Sequence, residues 1–490
     1  MRILIYIKYN RRAVLVVLML GFLASCRVGP KMHVTNPVPT TTITSSQDTI
    51  MDRKADSSFA KKSTQVVAAL PVNNWWEIFN DPTLDSLEAI AIEANWDLQT
   101  AAGRVEQTGA LLRVAYADLY PSIILNPSGT RQQLSINRPN PYGTSSSTLP
   151  RSIINTLQFP FTASYEIDLW GKFRNNIHAS RNIYQASEND RKALWLATTG
   201  NVAYNYFLIR ITDLEIDLFT KAIQTRVQNL ALAQERYRVG LTTLLDVVQA
   251  ETDLQTLQSQ LYSYKTTRET TLHALAVLCG KSAVDFAIKP TGYMVMPPVI
   301  PANLTTGLIN NRPDIRSQQL MAESAAALIG YSESFKYPSL VLSGSAGTLS
   351  KNEQTLLDYQ SRTWIIGASI SFPIFQGGRL NANTAAARAN YKQAVTSYNS
   401  SIVKALQEVE DALSYIRQGN QQAVVQESIV QVSQHAADLS MERYTKGLIT
   451  FFEVMNNQET ALNAKSMAIQ ISGQRLLYSV NLIKALGGGW

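Results

Sequence analysis

The sequence predicts a mostly helical protein with a smaller β part, in which two internal repeats each supply long helices and one β-hairpin. Three observations in the 490 residues indicate this fold class. One half of the chain repeats the other, two runs of more than 100 residues contain no proline, and two segments carry apolar residues at every second position. Together they divide the chain into matching helical and strand-forming parts.

The internal repeat relates the two halves at a nearly constant distance along the chain. The segment Glu235–Thr243 (ERYRVGLTT) recurs 207 residues later as Glu442–Thr450 (ERYTKGLIT), whereas the Tyr-Pro-Ser triplet that begins at Tyr120 recurs 217 residues later at Tyr337. The ten-residue difference falls in the Pro-, Ser- and Asn-rich stretch 135–152, as expected of a surface loop. We therefore place the first structural repeat at residues 75–290 and the second at 291–490.

The proline-free runs favour very long helices, because they are rich in strong helix formers and contain no residue that breaks a helix. A helix over residues 173–237 would be about 100 Å long at 1.5 Å per residue, and its counterpart over 380–444 would be similar. Apolar residues at alternating steps of three and four predict a packed seam on the following helix. Arg268 and Thr271 interrupt this seam, whose members are Val247, Ala250, Leu254, Leu257, Leu261, Tyr264, Leu275 and Leu278.

Tight turns are predicted where the long helices end. Gly240 and Gly447 each follow a predicted last helical turn that contains basic residues. Glycine is common at the position just beyond a helix C-terminus. A threonine three residues before an acid then predicts a capping box at the next helix. These pairs are Thr243 with Asp246 and Thr450 with Glu453. Each repeat should therefore form an antiparallel helical hairpin, with tips at about 238–243 and 445–450.

The strand-forming segments alternate apolar and polar residues over about ten positions, the length of a tilted membrane-spanning strand. They predict β-hairpins at about 121–170 and 338–376, with weaker partner strands over roughly 122–133 and 340–348. A half-buried strand of a soluble sheet is the alternative. The apolar positions are Phe159, Phe161, Ala163, Tyr165, Ile167 and Leu169 in the first repeat, and Trp364, Ile366, Ala368, Ile370, Phe372 and Ile374 in the second.

The first 25 residues have the layout of a secretory signal, in which a basic stretch precedes a short apolar run. Residues Leu23-Ala24-Ser25-Cys26 match the lipobox of bacterial lipoproteins, which predicts a signal peptide over 1–25 and a covalent lipid on Cys26. A plain signal that happens to end at a cysteine is the alternative. Residues 26–74, largely without an apolar period, then form the lipidated N-terminus and an extended tether.

The formal net charge of +7 names no partner, because the signal segment supplies more than half of it. Residues 1–25 contain four basic residues and no acid, which leaves +3 of the +7 for the rest of the chain. The other basic residues lie beside acids along the predicted helices, a pattern typical of solvated faces. No nucleic-acid partner is expected.

The sequence contains no catalytic or metal-binding pattern, so neither enzyme activity nor a metal site is expected. Nucleophile, zinc-protease and P-loop motifs are absent. The four histidines lack the spacing of metal ligands: His33, His178, His273 and His435. The lipid on Cys26 is the only non-protein group that the sequence predicts.

One strand hairpin per repeat gives four strands per chain, and open strand edges are not tolerated in lipid. No stretch after the signal approaches 18 consecutive apolar residues, so a membrane-spanning part is expected to be a β-barrel shared between chains. Two chains would give eight strands around an interior filled by side chains, whereas three give twelve and can leave a lumen. The long helices would continue the barrel on the periplasmic side.

Short motifs occur along almost the whole chain, in a specific order and spacing. They are Cys26-Arg27-Val28-Gly29-Pro30, Trp75-Trp76-x-x-Phe79-x-Asp81-Pro82-x-Leu84, Tyr165-Glu166-x-Asp168-Leu169-Trp170-Gly171-Lys172, Arg312-Pro313-Asp314-Ile315, Pro373-Ile374-Phe375-x-Gly377-Gly378-Arg379 and Leu486-Gly487-Gly488-Gly489-Trp490. With them the sequence resembles the TolC-like outer membrane factor family, in its lipoprotein branch associated with resistance-nodulation-division pumps.

The resemblance implies a homotrimer in the outer membrane, with a 12-stranded β-barrel continued by a long α-helical periplasmic barrel. Such a trimer is the exit duct of a tripartite pump. It receives small toxic compounds from a periplasmic adaptor protein and an inner-membrane transporter, which is commonly proton-driven. Two other functions stay open: a duct for protein or peptide secretion, and a periplasm-spanning structural lipoprotein without a channel.

The resemblance also assigns sites. It implies that the adaptor docks at the hairpin tips and that a periplasmic constriction lies just beyond the second tip, at Glu453 and Asn456. The family often has two acidic residues there, which attract cations to the pore. Asn456 is neutral and departs from this pattern, so strong cation selectivity is not expected from the resemblance. Glu453 either lines the constriction or only caps its helix. The implied docking residues are Arg238, Val239, Gly240, Leu241 and Thr242, and Lys446, Gly447, Leu448, Ile449 and Thr450.

Overall fold

The structure is a computed structural model that describes residues 28–29, 42–43, 74–137, 152–298, 304–305 and 311–488. The predicted signal peptide, Cys26 and most of the predicted tether lie outside the described residues. The chain divides into two compact units. Of the described residues, one unit contains 28–29, 106–137, 152–185 and 319–396. The other contains 42–43, 74–105, 186–298, 304–305, 311–318 and 397–488.

Seven α-helices lie within the described ranges. They are α1 (Pro82–Ala94), α2 (Trp96–Ala117), α3 (Lys172–Arg238), α4 (Leu244–Leu278), α5 (Pro313–Ser334), α6 (Arg379–Thr445) and α7 (Phe451–Ala485). The strands are β1 (Thr42–Ile43), β2 (Ser122–Leu125), β3 (Ser128–Leu134), β4 (Ser152–Ile167), β5 (Leu304–Thr305), β6 (Ser339–Ser350) and β7 (Arg362–Ser371). None of these helices is apolar over a stretch long enough to cross a membrane.

The predicted long helices are confirmed, and they match between the two halves. Helices α3 and α6 have 67 residues each, and the helices that follow them, α4 and α7, have 35 residues each. At 1.5 Å per residue, α3 and α6 are each about 100 Å long. Helices of this length are stable through packing of their faces rather than through propensity alone.

The predicted seam of α4 faces the packed side of the helix. Ala250, Leu257 and Leu275 are buried, and Leu257 lies in one cluster with Phe219 of α3 and Leu462 of α7. The interruption at Arg268 has a physical reason. Its Nε donates to Asp213 of α3 at 2.5 Å, so a buried ion pair replaces an apolar contact there.

The main sheet is antiparallel, with β4 and β6 at its centre. Strand β4 pairs with β2 and β3 on one side and with β6 on the other, and β6 pairs with β7. The weaker partner strands are therefore present, but the first is split into β2 and β3. Pro127 lies at the split and has no N–H for the ladder, while the Asn126 N–H donates to the carbonyl of Pro160.

The register of the sheet places the predicted alternating apolar residues of both halves on one face. One row across the strands is Leu125, Phe161, Ala346 and Trp364, and the next is Ile123, Ala163, Gly344 and Ile366. Residues that pair directly across antiparallel strands share a face. The intervening row Ile124, Thr162, Ser345 and Ile365 belongs to the other face, as does the row Ser122, Ser164, Ser343 and Gly367. That face is therefore small and polar in both rows on the central strands β4 and β6.

The second unit has the main apolar core. Trp75 and Phe79, on the short 3₁₀ helix Trp75–Phe79, pack with Phe207 of α3 and Val480 of α7. Asp81 starts α1 by accepting hydrogen bonds from the Thr83 and Leu84 N–H groups, and it also accepts the Tyr206 hydroxyl at 2.5 Å. The Trp-Trp-x-x-Phe-x-Asp-Pro motif of the sequence therefore serves to fix α1 against the long helix α3.

Candidate functional site

The first hairpin tip is a Schellman turn at the end of α3. Gly240 has φ of 74°, a conformation that strongly favours glycine. The Leu241 N–H donates to the Arg236 carbonyl at 2.8 Å, and the Gly240 N–H donates to the Tyr237 carbonyl at 3.0 Å. These two bonds satisfy carbonyls that the end of a helix would otherwise leave unpaired. The turn is therefore ordered, with Leu241 at its apex.

The second tip repeats this geometry at the end of α6. Gly447 has φ of 76°, the Leu448 N–H donates to the Arg443 carbonyl at 3.0 Å, and the Gly447 N–H donates to the Tyr444 carbonyl at 2.9 Å. A Cβ at either tip glycine would meet no atom within 4 Å. The backbone conformation alone therefore requires glycine at these two positions.

The side chains at the tips are apolar at the apex and charged beside it. Leu241 is 67% exposed and Leu448 is 64% exposed. Arg238 pairs with Glu235 at 2.5 Å, and the Lys446 ammonium pairs with Glu442 at 2.5 Å. Each tip therefore presents one exposed leucine beside a basic side chain. The charge of that side chain is balanced by an acidic residue one helical turn earlier. Of the other predicted docking residues, Val239 and Thr450 are exposed, and Thr242 and Ile449 are half-buried.

The predicted capping boxes are not formed. Thr243 and Thr450 occupy the N-cap positions of α4 and α7 with extended backbones, but neither side chain makes a capping hydrogen bond. At the first tip, the hydroxyl of Thr242 hydrogen-bonds the carboxylate of Asp246 instead. The Asp246 carboxylate therefore accepts a hydrogen bond from Thr242, four residues earlier. It does not accept the backbone N–H of the N-cap residue Thr243, as a capping box would require.

Glu453 and Asn456, the predicted constriction residues, lie in the first two turns of α7, and both are exposed. Among the described residues, the Glu453 carboxylate has no hydrogen-bond or ion-pair partner. Its backbone carbonyl accepts the side-chain amide of Asn457 at 2.9 Å. The structure thus gives Glu453 a free, solvated carboxylate one turn beyond the tip and no capping contact.

The ends of the two hairpins pack on each other just inside the tips. Tyr444 of α6 and Phe451 of α7 are buried, with ring centroids 5.3 Å apart. The Arg236 guanidinium of α3 lies 4.7 Å from the centre of the Tyr444 ring and donates to the Thr445 carbonyl at 3.4 Å. Burial raises the pKa of the Tyr444 phenol above its ordinary value.

A buried polar layer, which sequence reasoning missed, lies further along the same helices. Arg226 of α3 forms an ion pair with Asp253 of α4 and also contacts the side-chain oxygen of Gln458 of α7. The Asn229 amide donates to the same Gln458 oxygen at 2.7 Å. Burial raises the pKa of Asp253, and the neighbouring Arg226 charge opposes that shift. The layer joins three helices, α3, α4 and α7, by polar contacts.

The sequence profile of the outer membrane efflux protein family matches residues 89–281 and 305–488, more than half of the chain. The chain belongs to the outer membrane efflux protein family. The solvent efflux pump outer membrane protein SrpC of Pseudomonas putida is a relative with 30% identity over 427 residues. That alignment covers 87% of this chain and 89% of SrpC.

Two further comparisons support the membership. The probable outer membrane lipoprotein SilC of Salmonella typhimurium is 26% identical over 437 residues, which cover 88% of this efflux protein and 92% of SilC. The crystal structure of the outer membrane channel CmeC of Campylobacter jejuni has a TM-score of 0.83 at 26% identity. It covers 94% of this chain and 95% of CmeC. The predicted TolC-like family, the mostly helical fold with a β part and the outer-membrane location are confirmed.

The structure of this efflux protein brings the two predicted tips into one packed cluster and leaves Cys26 outside the described residues. Within the described ranges, no group of three His, Cys, Asp or Glu side chains is placed to hold a metal ion. The roles of the tip and constriction residues stay predictions.

Proposed function

We propose that this outer membrane efflux protein works as a homotrimer and forms the exit duct of a tripartite pump. The sheet register carries this proposal, since one face is largely apolar across all strands, whereas the other has mostly small or polar residues on the central strands β4 and β6. The apolar face is solvent-exposed in the single chain, and Trp364 and Ile366 are 75% and 80% exposed. A sheet with these two faces suits lipid on one side and a water-filled lumen on the other.

The edges of the sheet require further copies of the chain. Strands β2 and β3 form one edge and β7 forms the other, and neither has an outer partner among the described residues. Unpaired strand edges are costly in lipid, so another copy must pair with them. Three copies give a closed sheet of twelve strands with room for a lumen, whereas two would give eight strands around packed side chains.

The hairpin tips supply the docking site for a periplasmic adaptor. Leu241 and Leu448 are exposed apolar side chains on ordered turns, so little conformational entropy is lost when a partner covers them. The adaptor would connect the trimer to an inner-membrane transporter driven by protons. Glu453 of each chain would place three carboxylates at the periplasmic constriction, with Asn456 as a neutral neighbour that limits cation selectivity.

Small toxic compounds are the proposed cargo, and the relatives support this class. Curated relatives are described as solvent, toluene and antibiotic efflux pump proteins. The likeness to the lipoprotein SilC supports a lipid on Cys26. We propose no catalytic activity and no cofactor apart from this lipid, because conduction needs only a continuous passage.

The accumulation of a fluorescent dye in cells tests the proposal. Deletion of the gene should raise dye accumulation, and the intact protein should restore efflux. Unchanged accumulation for a panel of dyes and solvents, together with loss of a secreted protein, would instead identify a protein-secretion duct. A purified, membrane-inserted oligomer that carries no current under any gating condition would identify a structural lipoprotein.

A further inference from the structure

The described N-terminal residues Val28 and Gly29 lie against the point where β4 turns into α3. The Val28 N–H donates to the Trp170 carbonyl at 3.0 Å. The side-chain amide of Asn175, in the first turn of α3, donates to the Val28 carbonyl at 2.9 Å. Both polar groups of the Val28 backbone are therefore satisfied by the body of the protein, so this residue is held in one register.

A crossing of two glycine backbones brings the segment close to α5. A Cβ on Gly29 would lie 2.7 Å from the Cα of Gly330, and a Cβ on Gly330 would lie 2.7 Å from the Val28 carbonyl oxygen and 2.6 Å from the Asn175 amide nitrogen. Gly29 also has φ of 131°, where side chains are rarely tolerated. Each position therefore excludes any larger residue without a shift of backbone.

The crossing lies beside an aromatic pair that links the two halves. The Trp170 indole N–H donates to the Pro338 carbonyl at 2.7 Å, and its ring stacks on Tyr337 with centroids 5.0 Å apart. Trp170 follows β4 and Tyr337 precedes β6, so both mark the junctions between strands and helices. Tryptophan and tyrosine are enriched where membrane proteins cross the lipid–water interface.

We propose that Trp170, Asn175 and Gly330 form a clamp for the mature N-terminal segment of this chain, with Val28 and Gly29 as its occupants. The clamp fixes the place at which the lipid on Cys26 enters the membrane, a role that rests on the proposed lipidation. Two residues span at most about 7 Å, so a lipid on Cys26 is tethered close to the Trp170–Tyr337 pair. The clamp requires glycine at positions 29 and 330, because a Cβ at either position would collide with the other backbone segment.

Trypsin digestion of the full, detergent-purified protein tests the clamp. The scissile bond is Arg27–Val28, which the protease can bind only when Val28 and Gly29 are released. The clamp predicts slow cleavage of this bond in the intact protein and at least roughly tenfold faster cleavage in Gly330→Ala and Asn175→Ala. Gly103→Ala is the matched control, because Gly103 is also helical but a Cβ there meets no atom within 4 Å.

The outcomes are distinct. Cleavage in the intact protein as fast as in the denatured chain, or equal protection in Gly330→Ala and Gly103→Ala, would overturn the clamp. Circular dichroism and the melting temperature verify that each variant is folded. If Gly330→Ala does not fold, Asn175→Ala still tests the clamp, because it retains both glycines. The mass of the released Cys26–Arg27 fragment shows independently whether Cys26 carries a lipid. If the lipid is missing, the clamp cannot place a lipid in the membrane, and that role is overturned. The cleavage rates still decide whether the clamp itself exists.

Discussion

Leu241 and Leu448 occupy the same position in two Schellman turns that lie 207 residues apart in the chain. Each leucine directly follows a glycine with φ near 75°, and each leucine N–H donates to a carbonyl five residues earlier. Both side chains are about two-thirds exposed although the turns that hold them are fully hydrogen-bonded. The repeat thus gives each chain two similar apolar contact points on rigid supports.

The first prediction concerns these leucines. Leu241→Asp combined with Leu448→Asp should reduce efflux, because a charge replaces the apolar surface of the proposed adaptor-docking site. We expect the minimal inhibitory concentration of an exported compound to fall roughly tenfold or more, as for interface hot spots. Leu357→Asp is a suitable control, since Leu357 is 84% exposed in the loop between β6 and β7. An equal loss with the control would refute a specific role of the tips.

The tip glycines should be required for stability of the turns. Gly240→Ala and Gly447→Ala place a Cβ in the left-handed region, which costs roughly 1–2 kcal/mol for each residue. We expect a lower melting temperature in thermal denaturation and faster proteolysis at the tips. Gly103→Ala, in the middle of α2, should leave stability unchanged or raise it slightly. Equal melting temperatures for all three variants would contradict the turn geometry.

Removal of only one partner of the Arg226–Asp253 ion pair should lower the stability of the folded protein. Arg226→Met leaves a buried carboxylate without its partner and should lower the free energy of unfolding by about 3–5 kcal/mol. The double variant Arg226→Met, Asp253→Leu removes both charges and should recover much of this loss. A double-mutant cycle from denaturant unfolding checks the coupling, and additive effects would show that the two side chains do not interact.

Glu88 of α1 predicts a dependence of stability on pH. Its side chain is fully buried in the structure, and burial raises its pKa from 4.5 to about 9. The folded protein therefore keeps a proton that the unfolded chain loses above pH 4.5. Stability should fall with rising pH between these two values, by up to about 1.4 kcal/mol per pH unit.

The substitution Glu88→Gln isolates this effect. Glutamine keeps the shape of the protonated acid without a titratable group, so the variant should melt at a higher temperature than the parent at pH 8. The difference should shrink as the pH approaches 5. Melting curves at four pH values between 5 and 8.5 check this, and parallel curves for parent and variant would show that Glu88 is not protonated when folded.

The proposed constriction residues Glu453 and Asn456 predict the ion selectivity of the duct. Glu453→Gln removes the one proposed carboxylate per chain and should lower the permeability ratio of potassium over chloride. Asn456→Asp should raise that ratio, because it adds a second carboxylate one turn further along α7. Reversal potentials in a salt gradient measure both changes. An unchanged ratio in both variants would place the narrow part of the pore elsewhere.

The sequence alone was sufficient for the long helices and the strand alternation, since proline-free composition and period-two patterning are local signals. The tip glycines were also predictable, because a basic last turn followed by glycine marks a helix end. The capping prediction at Thr243 was wrong because the neighbouring Thr242 hydroxyl binds Asp246 instead. Sequence spacing alone cannot show which of two adjacent hydroxyl groups makes a contact.

Long-range polar contacts were beyond sequence reasoning. Arg226 and Gln458 are 232 residues apart, and nothing local distinguishes Arg226 from the solvated cations of α3. The packing of Gly29 on Gly330 likewise joins distant parts of the chain. Only the fold shows that these glycines meet.

The most direct measurement is photo-crosslinking in living cells from an unnatural residue placed at Leu241 and, separately, at Leu448. We expect both positions to capture a periplasmic adaptor protein, and we expect that adaptor to belong to a proton-driven pump for small toxic compounds. Capture of an adaptor from a protein-secretion system would contradict the proposed cargo. Absence of any adaptor at both tips, while the protein is folded and abundant in the outer membrane, would contradict the proposed role as the exit duct of a tripartite pump.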